Sequence, residues 1–400
     1  MTYEELPFLP VEEPNFWADP EQFMVPTRAK HPWLARFSAG YVVHGCQANK
    51  DLFADERHLE MGLGGIVEFY ELQDTMWARF MNEMLLSKRG EEHKRLRASV
   101  ASAFTPRNAS VIRPLVQGAM TALLDEWLPK GRFDFTEFAS YFPVSVMCGL
   151  LGISTEVIPS LRWALEMQVA AISLDLSLRG KILEAFDIKW NVADDLIRLR
   201  EAQGAVGEPS LLDDLIAARD AGGMDDTELR FMLLVLLVAG YDTSKNLLGM
   251  MMNLLIDRPD IYERCREDKA FCALVVEETL RHSTIATPFR QVTESFDYNG
   301  MRFEKGRLVA MATPLAGRDP AAFPEPLRFD PEREHKVRHV GFGRGAHICL
   351  GQYLARNQLE EGIHLIAKRM YNPRRDGDVS WRPMLGAWGP RTLPIAFDPE

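Results

Sequence analysis

Cys349 closes the run Phe342-Gly343-Arg344-Gly345-Ala346-His347-Ile348-Cys349, and Leu350-Gly351 leads from it into a stretch whose apolar residues recur at helical spacing as far as Leu359. The sulfur therefore sits near a helix N-terminus, where the dipole and free N–H groups favour a thiolate. Gly343, Gly345 and Gly351 supply backbone freedom and room for a flat group to approach closely. A competing reading is a buried free cysteine acting as a small hydrophobe. Zinc fits poorly, because His347 and Cys349 are two residues apart and no other Cys or His lies at zinc-ligand spacing. A single thiolate suits haem iron better.

The second constellation is Ala239-Gly240-Tyr241-Asp242-Thr243, which sets an acid and an alcohol in an apolar stretch where unpaired polar groups are costly. One reading is structural: Thr243 bonds back to a carbonyl four residues earlier, and Asp242 pairs with a surface cation. The other is proton delivery. Lys245 either snorkels or pairs with a carboxylate. A third pair, Glu278 and Arg281 at i and i+3, is by itself an ordinary helical ion pair.

The segment ending at Gly351 resembles the cysteine loop of the cytochrome P450 monooxygenases, fitting Phe-x-x-Gly-x-x-x-Cys-x-Gly at every position. Ala239 to Thr243 is similar to the Ala/Gly-Gly-x-Asp/Glu-Thr motif of that family's long helix. The resemblance implies haem b held by Cys349 as the metal ligand, with Phe342 and Gly351 bordering it. It implies that Thr243 and Asp242 are catalytic, the first holding a water near the bound oxygen and the second relaying protons. Glu278, Arg281 and Arg333, the last within Phe329-Asp330-Pro331-Glu332-Arg333, would form a structural triad that holds the cysteine loop. His93, Arg97, Arg290 and His347 fall where the family places its propionate-binding cations, and arginine's fork suits carboxylates. Each of the four is individually compatible with a solvated surface. Two segments depart from the family pattern: Lys88 to Glu92 lacks the usual proline, and Gly317-Arg318 replaces Asn-Arg.

These residues need a large and mainly helical frame with minor β structure. Helical periodicity covers most of residues 90–285; after Pro114, Val116, Met120, Leu123 and Trp127 form one stripe. Asp225 and Glu228 resemble a capping box that opens a central helix running toward Pro259, long enough to cross the molecule over a buried haem. A further helix begins near Lys269. Gly40 to His44 reads as strand, and Asn299-Gly300 as a two-residue hairpin turn. Five prolines between Pro314 and Pro331 predict an ordered meander. No Pro/Gly/Ser-rich linker or repeat divides the chain, so one domain spanning 1–400 is expected.

Composition narrows the partners. A net charge of −11 argues against nucleic acid and anionic membranes. The five scattered cysteines suit a reducing cytoplasm better than a disulfide framework. The N-terminus resembles neither a signal peptide nor a membrane anchor, and the apolar run Phe231 to Gly240 is shorter than the roughly 20 residues that span a bilayer.

Within the resemblance, nothing follows the haem region to house flavin, so electrons come from an iron–sulfur ferredoxin and its reductase, docking near Lys94, Arg95, Arg344 and Arg356. O2 supplies the oxygen that hydroxylates or epoxidises an apolar small molecule, terpenoid, aromatic or steroid-like. Expected pocket residues are Leu236, Ala239, Gly240, Ile285, Thr287 and Trp388. Two rival readings keep the thiolate: a haem sensor without turnover, which has no use for Asp242-Thr243, and a peroxide-driven peroxygenase.

Overall fold

The computed structural model describes residues 2–173, 175–204, 210–334 and 337–399. Its axis is the helix Asp226–Ile256, 31 residues long and so about 46 Å from end to end. Asp225 accepts from the Glu228 N–H at 2.7 Å while Glu228 accepts from the Asp225 N–H at 2.9 Å, so two N–H groups with no helical partner are satisfied reciprocally. The helix stops at Ile256, because Pro259 constrains Arg258 and opens the next helix, Pro259–Glu267.

Apolar residues cover almost every face of this central helix, so it is buried all round. By length and composition it passes as a membrane span, yet 78% of its apolar window is packed inside the protein; it is the core helix. It lies closely against the helix Phe135–Leu151, where a Cβ on Gly240 would come within 2.9 Å of Met147 Sδ. The stripe Val116, Met120, Leu123 and Trp127 forms the buried face of Arg113–Trp127, with Pro114 in its first turn. One continuous apolar cluster links these helices from Val67 to Phe397.

Strand content is small and lies to one side. A five-stranded sheet runs in the order Leu34–Phe37, Gly40–Val43, Leu308–Met311, Phe289–Val292 and Leu59–Glu60. Its fourth strand carries Arg290, and its second and third are parallel, with Gly40 opposite Leu308. Asn299 and Gly300 turn the hairpin Phe296–Tyr298/Met301–Phe303 with φ of 46° and 78°, the left-handed pair that a tight hairpin requires.

Three elements frame the cysteine loop. The helix Gly90–Ala101 carries His93 and Arg97. The helix Lys269–His282, capped by Asp268, carries the glutamate–arginine pair. The helix Gln352–Arg369 begins directly after the loop. The proline-rich segment opens with the short helix Thr313–Ala316 and then runs without regular structure through Glu334 among the described residues.

Candidate active site

The cysteine loop is shaped by its own hydrogen bonds. The Cys349 N–H donates to the Phe342 carbonyl at 2.9 Å, and the Gly343 N–H to Val340 at 2.9 Å. Gly343 and Gly345 take φ of 69° and 78°, and a Cβ on Gly345 would sit 2.9 Å from the Phe53 carbonyl. Both conformation and space therefore require glycine there. Gly351 is the N-cap of Gln352–Arg369, and its backbone N–H favours a negative Cys349 sulfur. Burial pushes the Cys349 thiol up, while that N–H and the guanidiniums of Arg97 and Arg356 pull it down. A sulfur so surrounded gains from a cation that takes over its negative charge.

Beside the loop lies a corner formed by two guanidiniums and two imidazoles. Arg97 Nη2 donates to the Ile348 carbonyl at 2.7 Å, and the His93 and His347 rings are 4.1 Å apart. His93 is buried with no partner for Nε2. Arg290 is buried against Met61 Sδ and the ring of Phe53, and that burial pulls its guanidinium down to about 10. Burial, with His93 and the two arginines, takes His347 to about 3. Among the described residues none of the four forms an ion pair with a carboxylate. A buried guanidinium lacking counter-charge, and a buried imidazole nitrogen lacking a partner, are both expensive. The two propionates of a haem would find their partners there, and the nearby Cys349 would supply a sulfur ligand to its iron. The residues fit a haem.

The central helix is buried on either side of Ala239 and Thr243, which are both exposed, with Gly240 half-buried between them. Ala239 and Thr243 stand one turn apart on one face, leaving a hollow where the rest of the helix is packed. Thr243 Oγ1 donates to the Ala239 carbonyl at 2.8 Å. The Asp242 carboxylate is buried on another face, accepting from Asn246 at 2.9 Å and Arg382 at 3.0 Å, with Lys245 at 3.2 Å. Lys245 also reaches Glu166 at 3.4 Å, and Glu166 accepts from the Tyr241 hydroxyl at 2.8 Å. Lys245 thus pairs with carboxylates rather than snorkelling. The Thr243 back-bond and the Asp242 ion pairs are both present, and neither withdraws Thr243 from the hollow.

Glu278 and Arg281 are fully buried and bonded through both carboxylate oxygens, at 2.8 and 2.6 Å. Arg281 spends its remaining donors on the carbonyls of Gly317, Pro326 and Arg328. Arg333 Nε lies 3.5 Å from Glu278 and caps the carbonyls of Pro324, Glu325 and Arg328. The three residues come together and pin the meander. The departure at Gly317 has a steric cause, since a Cβ there would lie 1.7 Å from the Arg281 carbonyl.

The remaining expected residues divide. Leu236, Ile285, Thr287 and Trp388 are buried, and Trp388 is held by Ile285, Trp17 and Trp381. Thr287 Oγ1 has no hydrogen-bond partner among the described residues. Of the four surface cations, Lys94 pairs with Glu91, Arg95 is bound bidentately by Glu228, and Arg356 is bound by Glu277. Arg344 is exposed and makes no ion pair among the described residues. Sequence reasoning missed Glu277, Glu166 and Arg382, whose partners are 62 to 140 residues away.

Residues 68–369 match the family model for cytochrome P450. The chain is 33% identical to luteothin monooxygenase from Streptomyces thioluteus, over 99% of this chain and 97% of that protein. It is 32% identical to 6-deoxyerythronolide B hydroxylase from Saccharopolyspora erythraea, over 76% of each chain. Among solved structures, a myxobacterial cytochrome P450 in complex with myristic acid superposes with a TM-score of 0.85 at 26% identity, covering 97% of this chain and 98% of that one. The chain belongs to the cytochrome P450 family. It is therefore a haem monooxygenase that uses O2 and a small-molecule substrate.

Proposed function

We propose that this P450 acts as one haem b domain that hydroxylates or epoxidises an apolar small molecule, drawing electrons from a separate iron–sulfur ferredoxin and its reductase in the cytoplasm. The observation that carries the cofactor reading is the corner formed by His93, Arg97, Arg290 and His347, four side chains with no carboxylate partner among the described residues, beside the Cys349 sulfur. Bound haem would supply the activation of O2, one atom of which is inserted into the substrate. Cys349 is its ligand, the four donors hold its propionates, and Phe342 and Gly351 border it.

Thr243 holds a proton at Oγ1, at the edge of the hollow. Donation to Ala239 leaves the hydroxyl oxygen free to accept a further hydrogen bond. Asp242, one residue away, is the carboxylate that helps relay protons from solvent toward that hydroxyl. Lys245 and Glu166 continue the polar path toward the surface, where Glu166 is partly exposed. Ala239 and Gly240 orient the substrate. Leu236, Ile285, Thr287 and Trp388 line or back the pocket and exclude water. Glu278, Arg281 and Arg333 keep the loop in place through the meander. The family's task for the protein is orientation, proton control and dryness.

The apolar substrate rests on the small and apolar character of the hollow, and on the acyl chain bound by the structural neighbour. The five cysteines, all free thiols, suit a reducing compartment. The test is a visible-absorbance titration of the ferric protein with terpenes, aromatics, steroids, macrolides and fatty acids. A saturable low-spin to high-spin shift with one class is expected, followed by turnover of that class with ferredoxin, reductase and O2. Turnover by peroxide alone would transfer the role to a peroxygenase, and a protein that binds no haem would refute the reading.

A further inference from the structure

Glu277 stands next to the triad glutamate on Lys269–His282 but reaches other partners. Its Oε1 accepts from Arg356 Nε at 2.5 Å, and its Oε2 lies 3.3 Å from both Arg356 Nη2 and His339 Nε2. His339 Nδ1 accepts from the Gly341 N–H at 3.1 Å, so its proton is on Nε2 and is donated to Glu277. One carboxylate thus grips the residue that precedes the cysteine loop and the arginine that follows it. Between those two, Phe342 lies under the Arg356 guanidinium at 4.5 Å and 6.2 Å from the His339 ring. The Phe342 carbonyl is the acceptor of the Cys349 N–H.

The chain of contacts therefore runs from Glu277 through Arg356 and Phe342 to Cys349. It also carries charge. Arg356 is one of the two guanidiniums that favour a negative sulfur, and Glu277 is its counter-ion. The carboxylate stays charged, because His339 and Arg356 outweigh its burial and hold it at about 2. By contrast Glu278, one residue on, is spent on Arg281, Arg333 and the meander.

We propose that Glu277 is a positioning residue that sets the reduction potential of the haem iron by holding and neutralising Arg356 against the Cys349 loop. This rests on the haem-thiolate reading above. A positive charge near the iron favours the reduced state, and a negative one opposes it. Removing Glu277 leaves Arg356 uncompensated and moves the potential upward. Removing Arg356 leaves Glu277 uncompensated and moves it downward. A purely mechanical clamp has no such sign: loosening it from either side disturbs the loop in the same direction.

The experiment is spectroelectrochemical measurement of the ferric/ferrous potential of the purified haem protein, alongside its ferrous carbonyl spectrum. Wild type, Glu277→Gln, Arg356→Gln and the double variant are compared. A wild-type carbonyl spectrum of neutral-thiol type would overturn the haem-thiolate reading itself, and the inference with it. Given a thiolate spectrum, the expected result is a positive shift for Glu277→Gln, a negative one for Arg356→Gln, and a double variant between the two. Shifts of the same sign, or a Glu277→Gln potential equal to wild type, would overturn the inference and leave the haem-thiolate reading standing. If Glu277→Gln does not fold, Arg356→Gln decides the sign, and a potential at or above wild type refutes the proposal. Glu277→Asp and Arg356→Lys retain charge, so each must lie nearer wild type than the neutral variant at its position.

Discussion

Thr243 and Asp242 are neighbours in the chain with opposite environments. Thr243 faces the hollow, while Asp242 is buried on the far side and held by Arg382, Lys245 and Asn246. The role proposed for each accords with that division: the alcohol would meet substrate and oxygen, and the carboxylate behind it would help relay protons. Thr243→Ala removes the hydroxyl at little cost to the fold, since its donation to Ala239 is an extra bond to an already helical carbonyl. The expected outcome is continued consumption of reductant with product per reductant lowered on the order of tenfold or more, read from NAD(P)H oxidation and product formation in one assay. Equal coupling in the variant and wild type would remove Thr243 from the proton path. The sequence offered a structural and a functional reading of this pair, and the two turn out to be compatible. The competing structural contacts occupy Asp242 fully and Thr243 only in part.

At the level of elements, the cysteine loop owes its shape to helices that precede it by tens of residues. Lys269–His282 supplies Glu278 and Arg281, whose donors and acceptors bind the carbonyls and the Asp330 N–H of the meander. Glu278→Gln leaves the fully buried Arg281 without a counter-charge. Breaking a buried pair in this way costs about 3–5 kcal/mol, which urea unfolding will register together with a lower haem content. A loss below about 1 kcal/mol would mean the pair is not what holds this region. Gly317→Ala tests the same joint sterically: its Cβ would meet a backbone carbonyl that cannot turn aside, and overpacking of this kind costs about 1–3 kcal/mol. Element boundaries were readable where chemistry marks them locally. The capping box at Asp225, the Asp268 cap and the Asn299-Gly300 turn all involve residues within a few positions of one another. The partners of Glu277 and the pairing of Lys245 with Glu166 were not readable, because an ion pair across 60 or 80 residues has no periodicity.

Across the whole molecule, buried neutral histidines couple folding to pH. Burial, then the charges of Arg28 and His31, hold His44 at about 3; burial, then Arg318 and Arg281, hold His282 at about 2. Both lie below the ordinary 6.5 of an unfolded chain. The unfolded state therefore binds protons that the folded state refuses, so their contribution is complete above pH about 6.5 and declines as the pH falls. Each histidine removes about 1.4 kcal/mol per pH unit below that point. Together they lower stability by roughly 3 kcal/mol between pH 7.5 and 5.5, and urea midpoints at those pH values check it. Unchanged midpoints would mean that these imidazoles titrate while the protein stays folded.

Charge at the molecular scale also bears on electron delivery. The chain is acidic overall, and three of the four cations expected to receive a ferredoxin are engaged by Glu91, Glu228 and Glu277. Arg344, exposed at the cysteine loop and free of any such pairing among the described residues, is left as the group proposed to meet an acidic partner. Arg344→Glu is expected to slow reduction by ferredoxin and flatten its dependence on ionic strength. Stopped-flow reduction identical to wild type at low salt would move the docking site elsewhere.

The amino-acid order by itself determined which chemistry was available. A cysteine in a glycine-bearing loop before a helix, an acid and an alcohol in an apolar helix, and a capping box that starts that helix are all local patterns, dictated by backbone geometry and the cost of burying polar groups. Tertiary structure decided which charges meet. Only folding brings His93 over His347, leaves Arg290 without a carboxylate among the described residues, adds Glu166 to Lys245 beside its neighbour Asp242, and puts one glutamate on both flanks of the cysteine loop. The physical reason is range: hydrogen-bonded turns and caps are set within a few residues, whereas ion pairs and ring contacts depend on distances in space that chain separation does not encode.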